Sequence, residues 1–497
     1  MTSQADTADA TNPGAPKATT VDVIVIGGGP VGENVAQYAI EDSDLTAALV
    51  EGELLGGECS YWACMPSKAL LRPLDVRGAA ANLTGISTPQ VQPDELLARR
   101  DQWVSGYDDA GQEKWARGAG LQVVRGHGWL SGEREVTIAG ADGDQVLRAR
   151  RAVVLATGSQ PTIPETFAEV QPWTSRDATA VREIPGSVLI IGGGVVACEA
   201  ATWLRALGSE VTLLVRGELL TNVEPNAADH VRKSLEAAGV TVRTNTSVTS
   251  ASRPEATDTG VGRIHGGPVT VQVTASGESK DGQTEDLRAD EVLVATGRRP
   301  RLSDVGLDQV GLEPQDVTDG RLPEWLYAVG DASGEAPLTH WGKYRARVIV
   351  AQIRAAALGA PAETPAPDPV NDGAAVPQVI FTDPQVAAVG LTEQQARDAG
   401  HDIVTAEVPY QGAAGSSLLR DDIHGIAKIV VDTQSRRLLG ATFAGAEAAE
   451  VVHAATVALV GQVRVDVLRH AVPSYPAVAE LWLRLLEELP REYRYPA

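Results

Sequence analysis

Cys59 and Cys64 are two of only three cysteines in 497 residues, and four residues separate them in the run Gly56-Gly57-Glu58-Cys59-Ser60-Tyr61-Trp62-Ala63-Cys64-Met65-Pro66-Ser67-Lys68. On a helix that spacing is about one turn, close enough for the sulfurs to bridge. A disulfide this local closes almost no loop and adds little stability. The spacing suits a redox pair that opens and closes during turnover. So few cysteines in so long a chain fit a reducing, cytoplasmic setting. Cys198, the third, reads as a small buried apolar residue.

Two glycine runs must position that chemistry. The apolar strand Val21–Ile26 feeds Gly27-Gly28-Gly29-Pro30-Val31-Gly32, which fits G-x-G-x-x-G through Gly27, Gly29 and Gly32 and continues into a helical pattern. A second strand ends in Glu51, about 20 residues after the glycines, where a carboxylate can take a ribose hydroxyl pair. The glycines admit the pyrophosphate and the helix N-terminus favours its charge. The second copy is Ser187–Ile191, then Gly192, Gly194 and Ala197 in the fingerprint positions, then a strand leading to Arg216. An arginine there suits a 2′-phosphate, which a carboxylate would repel, so this site is expected to prefer NADPH, with NADH an alternative. Each half closes on a similar strand end, Ala156-Thr157-Gly158 and Ala295-Thr296-Gly297, a duplication expected of two related dinucleotide domains. Two dinucleotide sites around one cysteine pair imply hydride passing from a nicotinamide to a flavin and on to the disulfide.

The net charge of −23 argues against nucleic acid or an anionic membrane as partner. No window approaches twenty uninterrupted apolar residues, so no membrane-spanning helix is expected. A hydrophobic fraction of 43% supports several cores. The expected organisation is a disordered tail at 1–20, an FAD-binding domain from 21–172 and 299–358, an NAD(P)-binding domain at 173–298, a linker at 359–376 and a third unit at 377–497 with no nucleotide signature of its own. Leu96–Ala119 reads as a helical stretch, Ser252–Asp290 as a β-meander, and Leu326–Asp331 as a strand ending in Gly330-Asp331.

Taken together, the cysteine run, both fingerprints, Gly330-Asp331 and the segment Phe381–Gly390 resemble the flavin-dependent pyridine nucleotide–disulfide oxidoreductases, a family that includes dihydrolipoamide dehydrogenase, glutathione reductase and mercuric reductase. The resemblance covers nearly everything from Val21 onward. It implies an α/β fold with two Rossmann-like domains, for FAD and NAD(P), plus a C-terminal α+β dimerisation domain, assembled as a homodimer. It places Cys64 against the flavin as the charge-transfer thiolate and makes Cys59 the interchange thiol. Lys68 and Glu199 become an ion pair near the reactive flavin nitrogen, Glu51 and Asp331 hold flavin hydroxyls, and Gly57, Thr157, Gly158 and Gly297 belong to the nucleotide-binding segments.

One position departs from the family. Where the disulfide-reducing members carry His-Pro-Thr-x-Ser-Glu, with the His as acid–base and the Glu orienting it, this chain reads Tyr475-Pro476-Ala477-Val478-Ala479-Glu480. A tyrosine, of ordinary pKa about 10, is a poor base at neutral pH but a usable proton donor. Losing a positioned histidine costs on the order of 10² to 10⁴ in proton-transfer steps. Two acceptor classes follow: a small-molecule or protein disulfide, or a quinone-type, dye or metal-ion acceptor that takes electrons from the flavin directly. Mercuric reductase resembles this chain in having a tyrosine there, but it also has a C-terminal cysteine pair that has no counterpart in Arg491–Ala497.

Overall fold

A computed structural model of the chain describes residues 19–141, 143–275, 284–358 and 375–495. The expected tail up to residue 18 and the expected linker from 359 to 374 lie outside the described residues. The described residues form two compact units, one within 1–57, 109–158 and 300–363, the other within 58–108, 159–299 and 364–497.

The first unit is built on a seven-stranded sheet. Thr19–Ile26 lies between Ala47–Glu51 and Gly143–Leu155, all parallel, and Leu326–Ala328 joins Gly143–Leu155 on its other side. Strand residues alternate faces. Val23, Val25 and Leu49 therefore pack with Val35, Ala36 and Ala39 of the helix Pro30–Ile40 and with Ala346, Ile349 and Ile353 of the helix Thr339–Leu358. Ile24, Ile26, Ala48 and Val50 point the other way, onto Leu130, Val136, Ile138 and the segment Leu302–Leu307. Burial on both faces explains why these strands read as continuous apolar runs.

The second unit holds a four-stranded parallel sheet in the order Thr241–Arg243, Glu210–Leu214, Ser187–Ile191, Glu291–Val294. The expected meander is a three-stranded antiparallel sheet, Thr246–Ser252, Val269–Ala275 and Thr284–Ala289. A five-stranded antiparallel sheet, Gln378–Ile380, Gln385–Gly390, Leu438–Gly445, Ile426–Asp432 and Ile403–Pro409, is backed by the helices Ala448–Val460 and Glu480–Glu488. One core runs from Leu70, Leu71 and Leu96 through Trp203 to Ile380 and Val386.

The expected helical stretch Leu96–Ala119 is made of two helices, Pro93–Trp103 and Ala110–Gly118. Between them Ser105, Gly106 and Tyr107 all take left-handed backbone, with φ of 52°, 62° and 64°. A helix cannot run through three such residues.

Candidate functional site

The cysteines lie on two helices. Cys59 is in Gly57–Tyr61 and Cys64 opens Cys64–Ala81. The continuous helix suggested by spacing breaks at Ala63, whose φ of −133° and ψ of −92° are non-helical. Pro66 is the reason. In an unbroken helix its ring would clash with the Trp62 carbonyl four residues back, and it has no N–H to give that carbonyl. The freed Trp62 oxygen accepts instead from the Thr179 hydroxyl at 2.8 Å.

Lys68 lies one turn beyond Cys64, on the same face of its helix. Its ammonium donates to both oxygens of Glu199, at 3.0 and 2.8 Å. Glu199 is only 3% exposed, and the backbone N–H of Phe381 donates to the same carboxylate at 2.9 Å. Lys68 Nζ also stands 4.8 Å from the Phe381 ring centroid. The fold thus brings together an ion pair 131 residues apart in sequence, at the cysteine-bearing helix, and adds Phe381 to it. Beside Glu199, burial pushes the Cys198 thiol up to about 12, which keeps it protonated and inert.

The first glycine run forms a backbone cradle inside its unit. Gly27 has φ +106°, and a Cβ there would lie 2.3 Å from the Ala156 carbonyl oxygen. A Cβ on Gly28 would meet the Leu55 side chain at 2.6 Å, and one on Gly57 would lie 2.7 Å from Gly29 Cα. The helix Pro30–Ile40 starts at Gly29 with no side-chain cap, leaving first-turn N–H groups for an anion. Glu51 accepts from the N–H of Gly28 at 2.7 Å and of Glu53 at 2.6 Å, and burial raises its carboxyl above the usual range. Gly330, at φ +67°, packs on Val31 and opens the turn Gly330–Ser333 that carries Asp331. The Thr157 hydroxyl donates to the Arg301 carbonyl at 2.7 Å, and Gly158 has φ +72°. This bare backbone cradle, with an uncapped helix start and one half-buried acid at the strand end, fits a dinucleotide such as FAD.

The second run repeats the arrangement. Gly192 has φ +129°, with the Ala295 carbonyl oxygen 2.4 Å from where a Cβ would sit. The 13-residue helix Val195–Leu207 starts at Gly194 with no side-chain cap and no acid in its first turn. A Cβ on Gly194 would meet nothing within 4 Å, so the run faces open space there. Ala197, at the third fingerprint position, is fully buried. Gly297 has φ +136°, and its carbonyl accepts from the Thr162 N–H. Arg216 is exposed and makes no ion pair among the described residues.

Tyr475 is 78% exposed and its hydroxyl makes no hydrogen bond among the described residues. Glu480, 4% exposed, accepts from the backbone N–H groups of Gly415 and Ala477 at 3.2 and 3.3 Å rather than holding the tyrosine. Sequence reasoning missed Arg298 and Arg176. Both donate to one oxygen of Glu58, the residue before Cys59, at 3.2 and 2.8 Å. Glu58 itself, in the Gly-Gly-Glu-Cys run, was the available signal.

A family profile described as pyridine nucleotide-disulphide oxidoreductase matches residues 21–356, and the dimerisation domain of the same family matches 376–485. Dihydrolipoyl dehydrogenase from Halobacterium salinarum is 31% identical, over 95% of this chain and 96% of that protein. Mercuric reductase from Staphylococcus aureus is 28% identical, over 92% of this chain and 80% of its own. Among solved structures, the HOCl-induced flavoprotein disulfide reductase RclA from Escherichia coli superposes with a TM-score of 0.76 at 22% identity, covering 94% of this chain and 99% of that one.

Proposed function

The chain belongs to the FAD-dependent pyridine nucleotide-disulphide oxidoreductases, and from that premise we propose that it passes reducing equivalents from NADPH, through FAD and the Cys59–Cys64 pair, to a disulfide substrate. The observation that carries this reading is the cysteine pair at a helix junction, one turn from the Lys68–Glu199 ion pair. Bound FAD supplies two-electron transfer between a nicotinamide and a dithiol.

The roles of the side chains follow from their chemistry. Gly27, Gly29, Gly32 and Gly57, together with Glu51, Thr157, Gly158, Gly330 and Asp331, hold FAD in residues 21–172 and 299–358. Gly192, Gly194, Ala197 and Gly297 hold the nicotinamide dinucleotide in 173–298. Arg216 pairs with the 2′-phosphate. Cys64 is the thiol that meets the flavin and Cys59 the one that meets substrate. Lys68 favours the thiolate form of a nearby sulfur and is itself held in place by Glu199. Residues 377–497 pair two copies. An exposed Tyr475 suits a side chain presented to the second copy, where it donates a proton.

A second reading is favoured by one observation: Glu480 is committed to backbone N–H groups, leaving Tyr475 without the carboxylate that would orient it. An acceptor that needs no thiol acid–base, such as a quinone, then takes electrons from the flavin. Anaerobic NADPH titration tests the main reading. A long-wavelength band from the Cys64 thiolate is expected in wild type and lost in Cys64→Ser, and its absence in wild type overturns it. Full quinone turnover by Cys59→Ser/Cys64→Ser supports the second reading.

A further inference from the structure

Trp62 lies between the two cysteines, in the only residues separating their helices, and is gripped from three sides. Its ring stacks on Tyr107, with centroids 4.6 Å apart and planes 28° from parallel. The Arg176 guanidinium lies 5.4 Å from the Trp62 ring centroid, and Arg182 lies 5.9 Å from that of Tyr107. The carbonyl of Trp62 is taken by Thr179. Arg176 also donates to Glu58, so one side chain meets both the residue before Cys59 and the ring two residues before Cys64. The segment bearing Thr179 is itself anchored by Arg100, 2% exposed, which donates to the carbonyls of Thr179 and Val181.

Tyr107 stacks on Trp62 from a segment in which Ser105, Gly106 and Tyr107 all hold left-handed backbone, a conformation costing roughly 1–2 kcal/mol at each non-glycine residue. Its hydroxyl is buried without a hydrogen-bond partner among the described residues. Strain and an unsatisfied hydroxyl at one residue mark a contact that serves something other than local stability.

We propose that Tyr107 is a positioning residue for the redox pair: by stacking on Trp62 it fixes the conformation of the short segment between Cys59 and Cys64, keeps the two sulfurs within reach of each other, and so lowers the pair's tendency to be reduced. The proposal rests on Cys59 and Cys64 being the redox pair. The physical reason is effective concentration. Two thiols held in place re-form their bond more readily than two on a loosened segment. In exchange with a small dithiol, the Cys59–Cys64 bond breaks and the intramolecular disulfide of the small dithiol forms. Two electrons and two protons pass to the cysteines.

The test equilibrates FAD-loaded enzyme anaerobically with mixtures of reduced and oxidised dithiothreitol, then counts alkylated Cys59 and Cys64 by mass. Tyr107→Leu is expected to shift the equilibrium about tenfold toward the dithiol, about 30 mV for this two-electron couple. Tyr107→Phe keeps the ring and is expected to stay within twofold of wild type. Trp62→Leu is expected to match Tyr107→Leu, and the double variant to shift no further than either alone. A Tyr107→Leu equilibrium equal to wild type, or a Tyr107→Phe shift as large as the Leu shift, overturns the proposal. So does failure of both Leu variants to yield flavin-loaded protein while Tyr107→Phe does, because the stack then serves folding. A wild-type pair that never exchanges refutes the underlying redox reading instead.

Discussion

The two glycine-run segments are near copies in backbone and opposites in charge. In the first, the Gly27 N–H bonds the Val50 carbonyl and the Ala156 N–H bonds that of Ile26. In the second, Gly192 bonds Leu214 and Ala295 bonds Ile191 in the same places. That register puts Val215 where the first segment has Glu51. Val215 is buried at 3% exposure, and Arg216 follows it into solvent. Under the proposed function, one scaffold offers a carboxylate to a ribose in one copy and a cation to a phosphate in the other, and the residues at the end of the second strand set which dinucleotide each takes.

The comparison is broken most severely at its glycines. Gly32→Ala would place a Cβ 1.9 Å from the Gly27 carbonyl oxygen. That clash is with backbone, costs on the order of 3 kcal/mol, and should leave little flavin-loaded protein. Gly194→Ala meets open space, so the Tm should hold while KM for NADPH rises at least about tenfold through obstruction of the pyrophosphate. A Gly194→Ala enzyme with unchanged KM shows that the second cradle does not bind the nucleotide as the first does.

Arg216→Ala sharpens the charge difference. A charge-assisted contact contributes roughly 1.5–3 kcal/mol, so kcat/KM for NADPH should fall about 10- to 100-fold with NADH unaffected. Equal losses with both nucleotides would remove Arg216 from the 2′-phosphate.

How much of this was legible in the sequence depends on distance along the chain. Each fingerprint is local, strand to glycines to helix, and so is readable from spacing. The Glu51 and Arg216 contrast is equally local. The contacts that hold the cysteine segment are not. Glu58 meets Arg176 and Arg298, 118 and 240 residues away, and nothing in either arginine's neighbourhood announces the partner. Lys68 and Glu199 were paired only through the family resemblance. Two local signals were present and unused. Pro66 denies the Trp62 carbonyl its helical partner beside the break at Ala63, and Ser105-Gly106-Tyr107-Asp108 is turn chemistry inside the stretch that reads as helical.

The smallest expected effect belongs to the first copy alone. Glu33, in the first turn of its glycine-run helix, is buried, and burial pushes its carboxyl up to about 7, against a usual 4.5, despite nearby Lys343. The folded state then keeps a proton that the unfolded chain has released. Stability from this group is intact below about 4.5, declines as pH rises and is gone above about 7. Glu33→Gln should remove that decline, gaining on the order of 2 kcal/mol at pH 8 relative to wild type, read from denaturant titrations at several pH values. The second copy has no first-turn acid and should show no counterpart.

Reductive titration of the FAD-loaded protein under anaerobic conditions, counting electrons per flavin, tests the central claim most directly. Wild type should take up about four, two for the flavin and two for the Cys59–Cys64 disulfide, and Cys59→Ser/Cys64→Ser about two. A wild-type enzyme saturated by about two electrons has no redox-active disulfide in communication with its flavin, and contradicts the account.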